Sequence, residues 1–435
     1  MKKSIALLLV IALILCLGAC GQQQNSVSTP SDATSNSDAQ NSESVKSDVK
    51  LTYWSMWNET EPQALVISDA VKDFKEQTGI EVEIVFNGRD TKKTLQPAID
   101  AGTQIDVFDY DLEWLHENWG DYTLVIEDYI KKDYLNTDGK PLEDCLNSLM
   151  LSLARTVGPD GQLDCVPYQP CSTLVMYNKT LFQQAGIDSA PKTWEEFLDV
   201  CAKLKEAGIV PLTVDDAYMA LPFGAYLARL IGQDGIDKLV ADKTWDTPEV
   251  REAAAAWKEF YDLGYVSEKA ATNIFPAGQQ EIASGEVAMY LNGTFLPNEV
   301  KNSVVEDLEW GSFAFPSVEN GINGTEANYY GSQCFAVSNK SEYPEEAMEF
   351  IAFMTTGVWD EKLAEESLGI PMAEGSAWPK ELTEAKSVFE ATTTRLKNNY
   401  GMHVDTDQYP VIKESMARLF SGQYSVDDFI NAIAG

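Results

Sequence analysis

The chain has 435 residues, of which 68 are Asp or Glu and 32 are Lys or Arg, so its formal charge at pH 7 is −36. A surface this acidic repels nucleic acid and anionic lipid headgroups, and we expect no nucleic-acid partner. The only two histidines, His116 and His403, argue against a histidine-rich metal site, and we predict neither a metal nor a cofactor.

The N-terminus has the pattern of a secretory signal. Met1-Lys2-Lys3 precedes an apolar run, residues 5–17, which is shorter than the roughly 18 residues of a membrane-spanning helix. The following Gly18-Ala19-Cys20 resembles the lipobox of bacterial lipoproteins, which implies removal of residues 1–19 and a diacylglyceryl anchor on Cys20. The alternative is an ordinary signal with an incidental cysteine. We predict a protein anchored by lipid on the outer face of the cell membrane.

Residues 20–48 are mostly small or polar, with Val27 and Val45 as the only sizeable apolar side chains after Cys20. Such a segment buries too little surface to offset its ordering entropy, and we predict a flexible tether. The remaining chain, residues 49–435, has a globular composition and is long for a single core. Two lobes are therefore expected.

The globular part begins with alternating strands and helices. Leu51–Trp54, Glu81–Phe86 and Ile105–Phe108 read as strands, and the helical patterns Gln63–Thr78 and Thr91–Ala101 separate them. This order predicts a parallel, doubly wound α/β sheet.

A second α/β unit follows. Thr193 and Glu196 form a capping box at the start of a helix that ends near Gly208. The proline of Thr247-Pro248 opens another helix. Further strands are predicted at Leu174–Tyr177, Val287–Leu291 and Trp310–Phe315.

Catalytic signatures are missing from the sequence: it contains no G-x-G-x-x-G, G-x-S-x-G or H-E-x-x-H pattern. Asp109 and Asp111 lie on one side of an extended segment and could serve as the two acids of a secreted glycoside hydrolase. Asp109 could equally cap the next helix. Because one acidic pair is a weak signal among 68 acids, we predict a binding protein and not an enzyme.

Aromatic and polar residues meet where two predicted strands end. Trp57, Asn58 and Glu59 follow the first strand, and Tyr110 and Asp111 follow the third. Ligands of open α/β sheets bind beyond the carboxyl ends of strands. Sugars place C–H faces on aromatic rings and hydroxyls on amides and carboxylates, so this mixture suits a sugar. We expect Trp57 to serve affinity and not the fold; the alternative is that it caps a lobe.

Four motifs carry a family resemblance. By their order and spacing, most of the mature chain resembles the extracellular solute-binding proteins of ABC importers, in the branch of maltose-binding protein and other sugar binders. The motifs are Pro167-Tyr168 through Met176–Lys179, Pro191–Phe197, Gly285–Met289 through Asn292-Gly293, and Phe335–Ser338.

The resemblance implies a two-lobed, type II periplasmic-binding-protein-like α/β fold that closes around a ligand at hinges near residues 168–172 and 313–316. By the same analogy, residues 49–167 and 317–357 form the N-terminal lobe, and residues 168–316 and 358–435 form the C-terminal lobe.

The resemblance also implies positions for ligand contacts. The first-lobe candidates, at the ends of the first and third strands, would face the cleft together with Gln169, which precedes the crossover. Phe295 stands where several relatives carry Trp, which puts a full stacking platform in doubt. The second-lobe candidates are Asp216, Tyr218, Asn292 and Phe295, and the looser candidates are Tyr330 and Trp378.

The implied function is capture of a sugar or oligosaccharide by a monomer that delivers it to ABC permease subunits. A polyamine is the main rival ligand, because acids beside aromatic rings also make a cation–π cage. A glycoside hydrolase, a surface adhesin or a receptor-coupled sensor would also fit a secreted, anchored chain. Five cysteines follow Cys20; we expect buried free thiols, with a Cys165–Cys171 disulfide as the alternative.

Overall fold

The computed structural model describes residues 49–435. The predicted signal segment 1–19, the predicted lipid-bearing Cys20 and the predicted tether 20–48 lie outside the described residues. Among residues 49–435, no helix combines the length and the apolar character that crossing a membrane requires.

One mixed sheet runs through the described chain, in the order β2-β1-β3-β8-β4-β6-β5, with β7 beside β4 and β9 beside β8. The first three strands pair in parallel, which confirms the doubly wound start, and β8 and β4 join antiparallel at the centre. The strands are β1 (Lys50–Ser55), β2 (Glu81–Phe86), β3 (Val107–Asp111), β4 (Val166–Asn178), β5 (Val210–Thr213), β6 (Val287–Gly293), β7 (Trp310–Phe313), β8 (Ala327–Val337) and β9 (Thr394–Leu396).

Helices cover both lobes. They are α1 (Pro62–Thr78), α2 (Thr91–Asp100), α3 (Leu112–Trp119), α4 (Ser148–Val157), α5 (Lys179–Gln184), α6 (Trp194–Glu206), α7 (Leu221–Asp242), α8 (Pro248–Asp262), α9 (Ala277–Ala283), α10 (Leu296–Val300), α11 (Pro344–Thr355), α12 (Gly357–Ser367), α13 (Thr383–Ala391), α14 (Gln408–Leu419) and α15 (Val426–Ile433).

Local sequence explains the ends of several helices. The predicted capping box of α6 is present: the Glu196 amide donates to Thr193 Oγ1 at 3.3 Å, and the Thr193 amide donates to Glu196 Oε2 at 3.3 Å. Helix α1 ends at Gly79, whose φ of 80° lies in the left-handed region that glycine adopts without strain.

Two long strands connect the lobes. The first half of β4 pairs with β8, and its second half, from Thr173, pairs with β6 and β7. The hinge predicted at residues 168–172 coincides with this change of partner. The hinge predicted at 313–316 does not lie at a crossing, because the Phe315 carbonyl accepts from the second-lobe Arg229 side chain at 2.6 Å. The other crossing is β8.

The predicted lobe boundaries shift accordingly. Residues just after 317 pack with the second lobe, because Val318 belongs to its core and Asn323 Nδ2 donates to the Ala228 carbonyl of α7. Helix α12, assigned by the resemblance to the second lobe, packs in the first: Trp359 Nε1 donates to Asp73 Oδ2 of α1 at 2.8 Å.

The cysteines of the described chain are all unpaired, so the alternative Cys165–Cys171 disulfide is not formed in this structure. Cys165, Cys201 and Cys334 are buried.

Candidate ligand-binding cleft

A cavity of about 350 Å³ lies where β4 and β8 cross between the lobes, and residues of both lobes line it. Six of the twelve predicted contact residues are in its wall. They are Trp57, Asp111 and Gln169 from the first lobe and the first crossing strand, and Tyr218, Asn292 and Phe295 from the second lobe.

Trp57 is held in the wall by a buried hydrogen-bond chain. Its Nε1 donates to the Tyr168 hydroxyl at 2.7 Å, and that hydroxyl donates to Asp109 Oδ2 at 2.6 Å. The Met56 amide donates to Asp109 Oδ1 at 2.7 Å. Burial raises the pKa of Asp109 to about 6. Because Trp57 is only 6% exposed, it serves the fold as well as the cleft, and the expectation that it serves affinity alone is corrected.

Arg89, which is absent from the predicted contacts, covers the Trp57 ring. Its guanidinium carbon lies 4.7 Å from the ring centroid, a cation–π contact. The same guanidinium binds both carboxylate oxygens of Glu61, at 2.8 and 3.1 Å. Arg89 follows β2, so the rule of strand carboxyl ends, applied to this strand too, would have found it.

Asn58 supports this ion pair from outside the cavity. Its amide and its side-chain Nδ2 donate to Glu61 Oε2 at 2.6 and 2.9 Å. Gly88 lies against it with a φ of +58°, and a Cβ there would come within 2.5 Å of Asn58 Oδ1. Glycine is therefore required where this turn approaches the Asn58 side chain.

Asp111 ends β3 at the cavity wall and begins α3. Its Oδ1 accepts from the Trp114 amide at 3.0 Å, so Asp111, and not Asp109, is the helix cap. Burial raises the pKa of Asp111 to about 6. Gln333 of β8 lies in register with Asp111 on one side and Gln169 on the other, which gathers three polar side chains at the crossing.

The second lobe adds a short turn and a carboxylate. The Phe295 ring lies on Gly293, where a Cβ would meet the ring at 2.1 Å, so glycine is needed for this close approach. Glu299 of α10 is solvent-exposed within the cleft and accepts a hydrogen bond from Gln279 Nε2. Partial desolvation by the surrounding walls raises the pKa of Glu299 to about 7.

Three buried amide oxygens of the cavity wall have no hydrogen-bond partner within the described part of the chain. They are Gln63 Oε1, Asn298 Oδ1 and Gln333 Oε1. Buried polar atoms in native structures nearly always have a partner. Amide oxygens accept hydrogen bonds, so these three are acceptors that lack a donor. Asn292 Nδ2, which belongs to the same wall, is a buried donor that also lacks a partner, and a hydroxyl group can accept a hydrogen bond as well as donate one.

The remaining predicted contacts are not in the cavity wall. Tyr110 is 5% exposed and packs edge-on against Trp119, because side chains alternate along β3 and Tyr110 points away from the side of Asp111. Trp378 packs against Phe389. The residues outside the wall are Asn58, Glu59, Tyr110, Asp216, Tyr330 and Trp378.

Asp216, Glu59 and Tyr330 have other surroundings. Asp216 is exposed, and its Oδ1 accepts from the Phe275 amide at 2.9 Å. Glu59 is exposed in the loop after β1. Tyr330 packs edge-on against Phe389. None of the three is brought to the cavity in this structure.

Two α/β lobes, joined by crossing strands around a polar cavity, define a solute-binding protein. The chain belongs to the bacterial extracellular solute-binding protein family, whose model matches residues 69–390. It is 24% identical over 287 residues to a binding protein of Brucella abortus strain 2308. That match covers 63% of this chain and 64% of the relative, so the chain spans less than two thirds of the length of the first curated relatives it matches.

Solved structures of binding proteins share the fold. The probable secreted solute-binding lipoprotein from Streptomyces coelicolor has a TM-score of 0.72 at 18% identity, over 88% of this chain and 97% of that one. A chitin oligosaccharide binding protein has a TM-score of 0.69 at 19% identity, over 89% and 97%. Identities this low establish a common fold, and the ligand has to be argued from the cleft.

Proposed function

We propose that this protein captures a neutral sugar or oligosaccharide in the cavity between its lobes and delivers it to the membrane subunits of an ABC importer. One observation carries the proposal: residues of both lobes and of the crossing strand that line one cavity, together with Trp57, carry buried amide oxygens without a hydrogen-bond partner in the described chain. Sugar hydroxyls satisfy such acceptors, and sugar C–H faces pack on aromatic rings.

The charges of the wall favour a neutral ligand over an anionic one. Arg89 is the only Lys or Arg among the wall residues of the described chain, and Glu61 already binds it through both carboxylate oxygens. Asp111 adds negative charge above its pKa of about 6, and Glu299 adds more above its pKa of about 7. A phosphate or carboxylate group would therefore enter a cavity without a free cation, at an electrostatic cost.

The same carboxylates make a cationic ligand the second candidate. Glu61, Asp111 and Glu299 surround the cavity together with Trp57 and Tyr218, a set that also suits a polyamine. Binding of a polyamine would strengthen as pH rises past about 7, because Glu299 then ionises. Binding of a neutral sugar should not strengthen with pH in this way, because the sugar has no positive charge for an ionised Glu299 to attract.

A ligand panel is expected to separate these candidates. Purified protein is tested by thermal shift and calorimetry with neutral oligosaccharides, spermidine and a phosphorylated sugar. A cognate ligand at 100 times its Kd stabilises the protein by about 2.7 kcal/mol. We expect a neutral sugar to raise the Tm, and Gln333→Ala to weaken that binding where Gln423→Ala, an exposed change outside the cavity, does not. Binding of spermidine alone would contradict the sugar proposal.

We also propose that the protein does not catalyse hydrolysis, in line with its family and its structural neighbours, which are binding proteins. The bound oligosaccharide should be recovered intact after prolonged incubation, as judged by mass spectrometry. Release of shorter sugars that stops when Asp111 is changed to Asn would instead support the hydrolase alternative.

Lipid attachment at Cys20 is proposed as the only membrane anchor. Two acyl chains hold a protein stably at a membrane, whereas a single chain holds it weakly. We expect Cys20→Ser to move the protein from the membrane fraction to the soluble fraction, with ligand binding unchanged. Retention of the variant in the membrane fraction would show that another segment anchors it.

A further inference from the structure

A second polar cluster lies inside the first lobe, apart from the cavity wall. It consists of His116 on α3 and of Asp164 and Cys165 just before β4, and one potential ligand atom from each lies within 4.8 Å of the other two. His116 Nδ1 is 3.3 Å from Asp164 Oδ2, and His116 Nε2 is 4.0 Å from Cys165 Sγ.

Asp164 leaves one buried carboxylate oxygen unsatisfied. Both Asp164 and Cys165 are fully buried, while the His116 side chain is 10% exposed. Thr123 Oγ1 donates to Asp164 Oδ2 at 2.8 Å, but Asp164 Oδ1 has no partner among residues 49–435. Burying an unpaired carboxylate oxygen is costly, so its position beside an imidazole and a thiol points to a cation.

A second thiol lies beside Cys165. Cys334 of β8 is fully buried and lies within hydrogen-bonding reach of Cys165. The thiolate is the form of cysteine that binds metal ions.

We propose that the first lobe holds a Zn²⁺ ion, with Cys165, His116 and Asp164 as ligands. Thiolate sulfur, imidazole nitrogen and carboxylate oxygen are all donors that proteins use to bind Zn²⁺. Binding of Zn²⁺ releases to solvent any proton that the Cys165 thiol or the coordinating imidazole nitrogen carries. One histidine suffices, so the scarcity of histidine in the sequence does not exclude this site. The partly exposed His116 provides the entry route.

The ion would tie together two elements that support the cleft, α3 and the start of β4. His116 lies on α3, which Asp111 caps, and Cys165 precedes Tyr168, which holds Trp57. Cys334 is next to Gln333 of the cavity wall. The site would therefore stabilise the first lobe without contacting the solute.

Metal titration of the reduced, chelator-treated full chain tests the site. We expect one Zn²⁺ per chain and an increase in Tm, and we expect Co²⁺ to produce a thiolate-to-cobalt charge-transfer band. Cys165→Ser and His116→Gln should each weaken Zn²⁺ binding about tenfold or more and reduce the cobalt band. The readout uses no sugar, so it is independent of the proposed solute.

Matched variants control for nonspecific binding to the acidic surface. Cys201→Ser changes a buried thiol of the second lobe, and His403→Gln removes the other histidine. Both should bind Zn²⁺ like the wild type. Because His116 is partly exposed, His116→Gln is expected to fold, which circular dichroism checks. Unchanged Zn²⁺ binding in His116→Gln or Cys165→Ser, or a Cys165–Cys334 disulfide with no metal in the purified protein, would overturn the site.

Discussion

Trp57→Ala is expected to weaken ligand binding by about thirtyfold or more and also to destabilise the ligand-free protein. Truncating a binding-site aromatic side chain costs about 2 kcal/mol or more of affinity, which is roughly thirtyfold in Kd. Trp57 is also 6% exposed and donates to the buried Tyr168 hydroxyl, so its loss leaves a cavity and removes one of the hydrogen bonds to that hydroxyl. Replacing a core tryptophan by alanine lowers the free energy of unfolding by about 3 to 5 kcal/mol.

Two further variants separate the two effects. Trp245 is 2% exposed in the second-lobe core and lies outside the cavity wall, so Trp245→Ala should lose stability but keep its affinity for the ligand. Trp57→Phe keeps a ring and removes the indole N–H. Affinity is measured by calorimetry at a temperature where each variant is folded, and stability by denaturant unfolding. Wild-type affinity in Trp57→Ala would remove Trp57 from the ligand contacts.

Elements specified by local sequence were predictable. The sequence predicted helix α1 from the helical pattern of Gln63–Thr78, and the α6 capping box from Thr193 and Glu196. In each case the determining residues are within a few positions of one another. The parallel pairing of the first three strands followed because alternating strands and helices allow few other arrangements.

The lobe boundaries depend on contacts between distant residues, and these were not predictable. Helix α12 joins the first lobe through a hydrogen bond between Trp359 and Asp73, which are far apart in the sequence. Strand β8 crosses between the lobes because it pairs with β3 and β4. Neither its composition nor its neighbours in sequence specify those partners.

The cleft was predictable to the extent that it lies at strand ends. Trp57 and Asp111 were found this way, but the rule could not separate Asp111 from Tyr110 without the register of β3. Ser367 and Asn398 enter the wall from the end of α12 and from the segment after β9, far along the chain. Only the packing of these segments brings them to the cavity.

Protein stability is expected to fall as pH rises from about 4 to about 6.5, because buried carboxyl groups resist ionisation. Burial raises the pKa of Asp360 to about 6, as it does for Asp109. In the unfolded chain an Asp titrates near about 3.9. Between these two values the folded state binds more protons than the unfolded state, so raising the pH lowers the free energy of unfolding. The contribution of each of these groups to the free energy of unfolding is fully present below about pH 4 and is lost as the pH rises through the pKa of the group in the folded protein.

The expected loss is on the order of 1 to 3 kcal/mol for each of these two groups, since one pKa unit corresponds to about 1.4 kcal/mol. Repulsion within a chain of charge −36 acts in the same direction. Urea unfolding at pH 5 and at pH 7.5 measures the difference. Asp360→Asn removes one titrating group and should flatten the dependence. Asp246→Asn changes an exposed carboxylate whose pKa the hydrogen bond from Arg251 lowers, so it should leave the slope in this range intact. Stability that increased from pH 5 to pH 7.5 would show that Asp109 and Asp360 are ionised in the folded protein without cost.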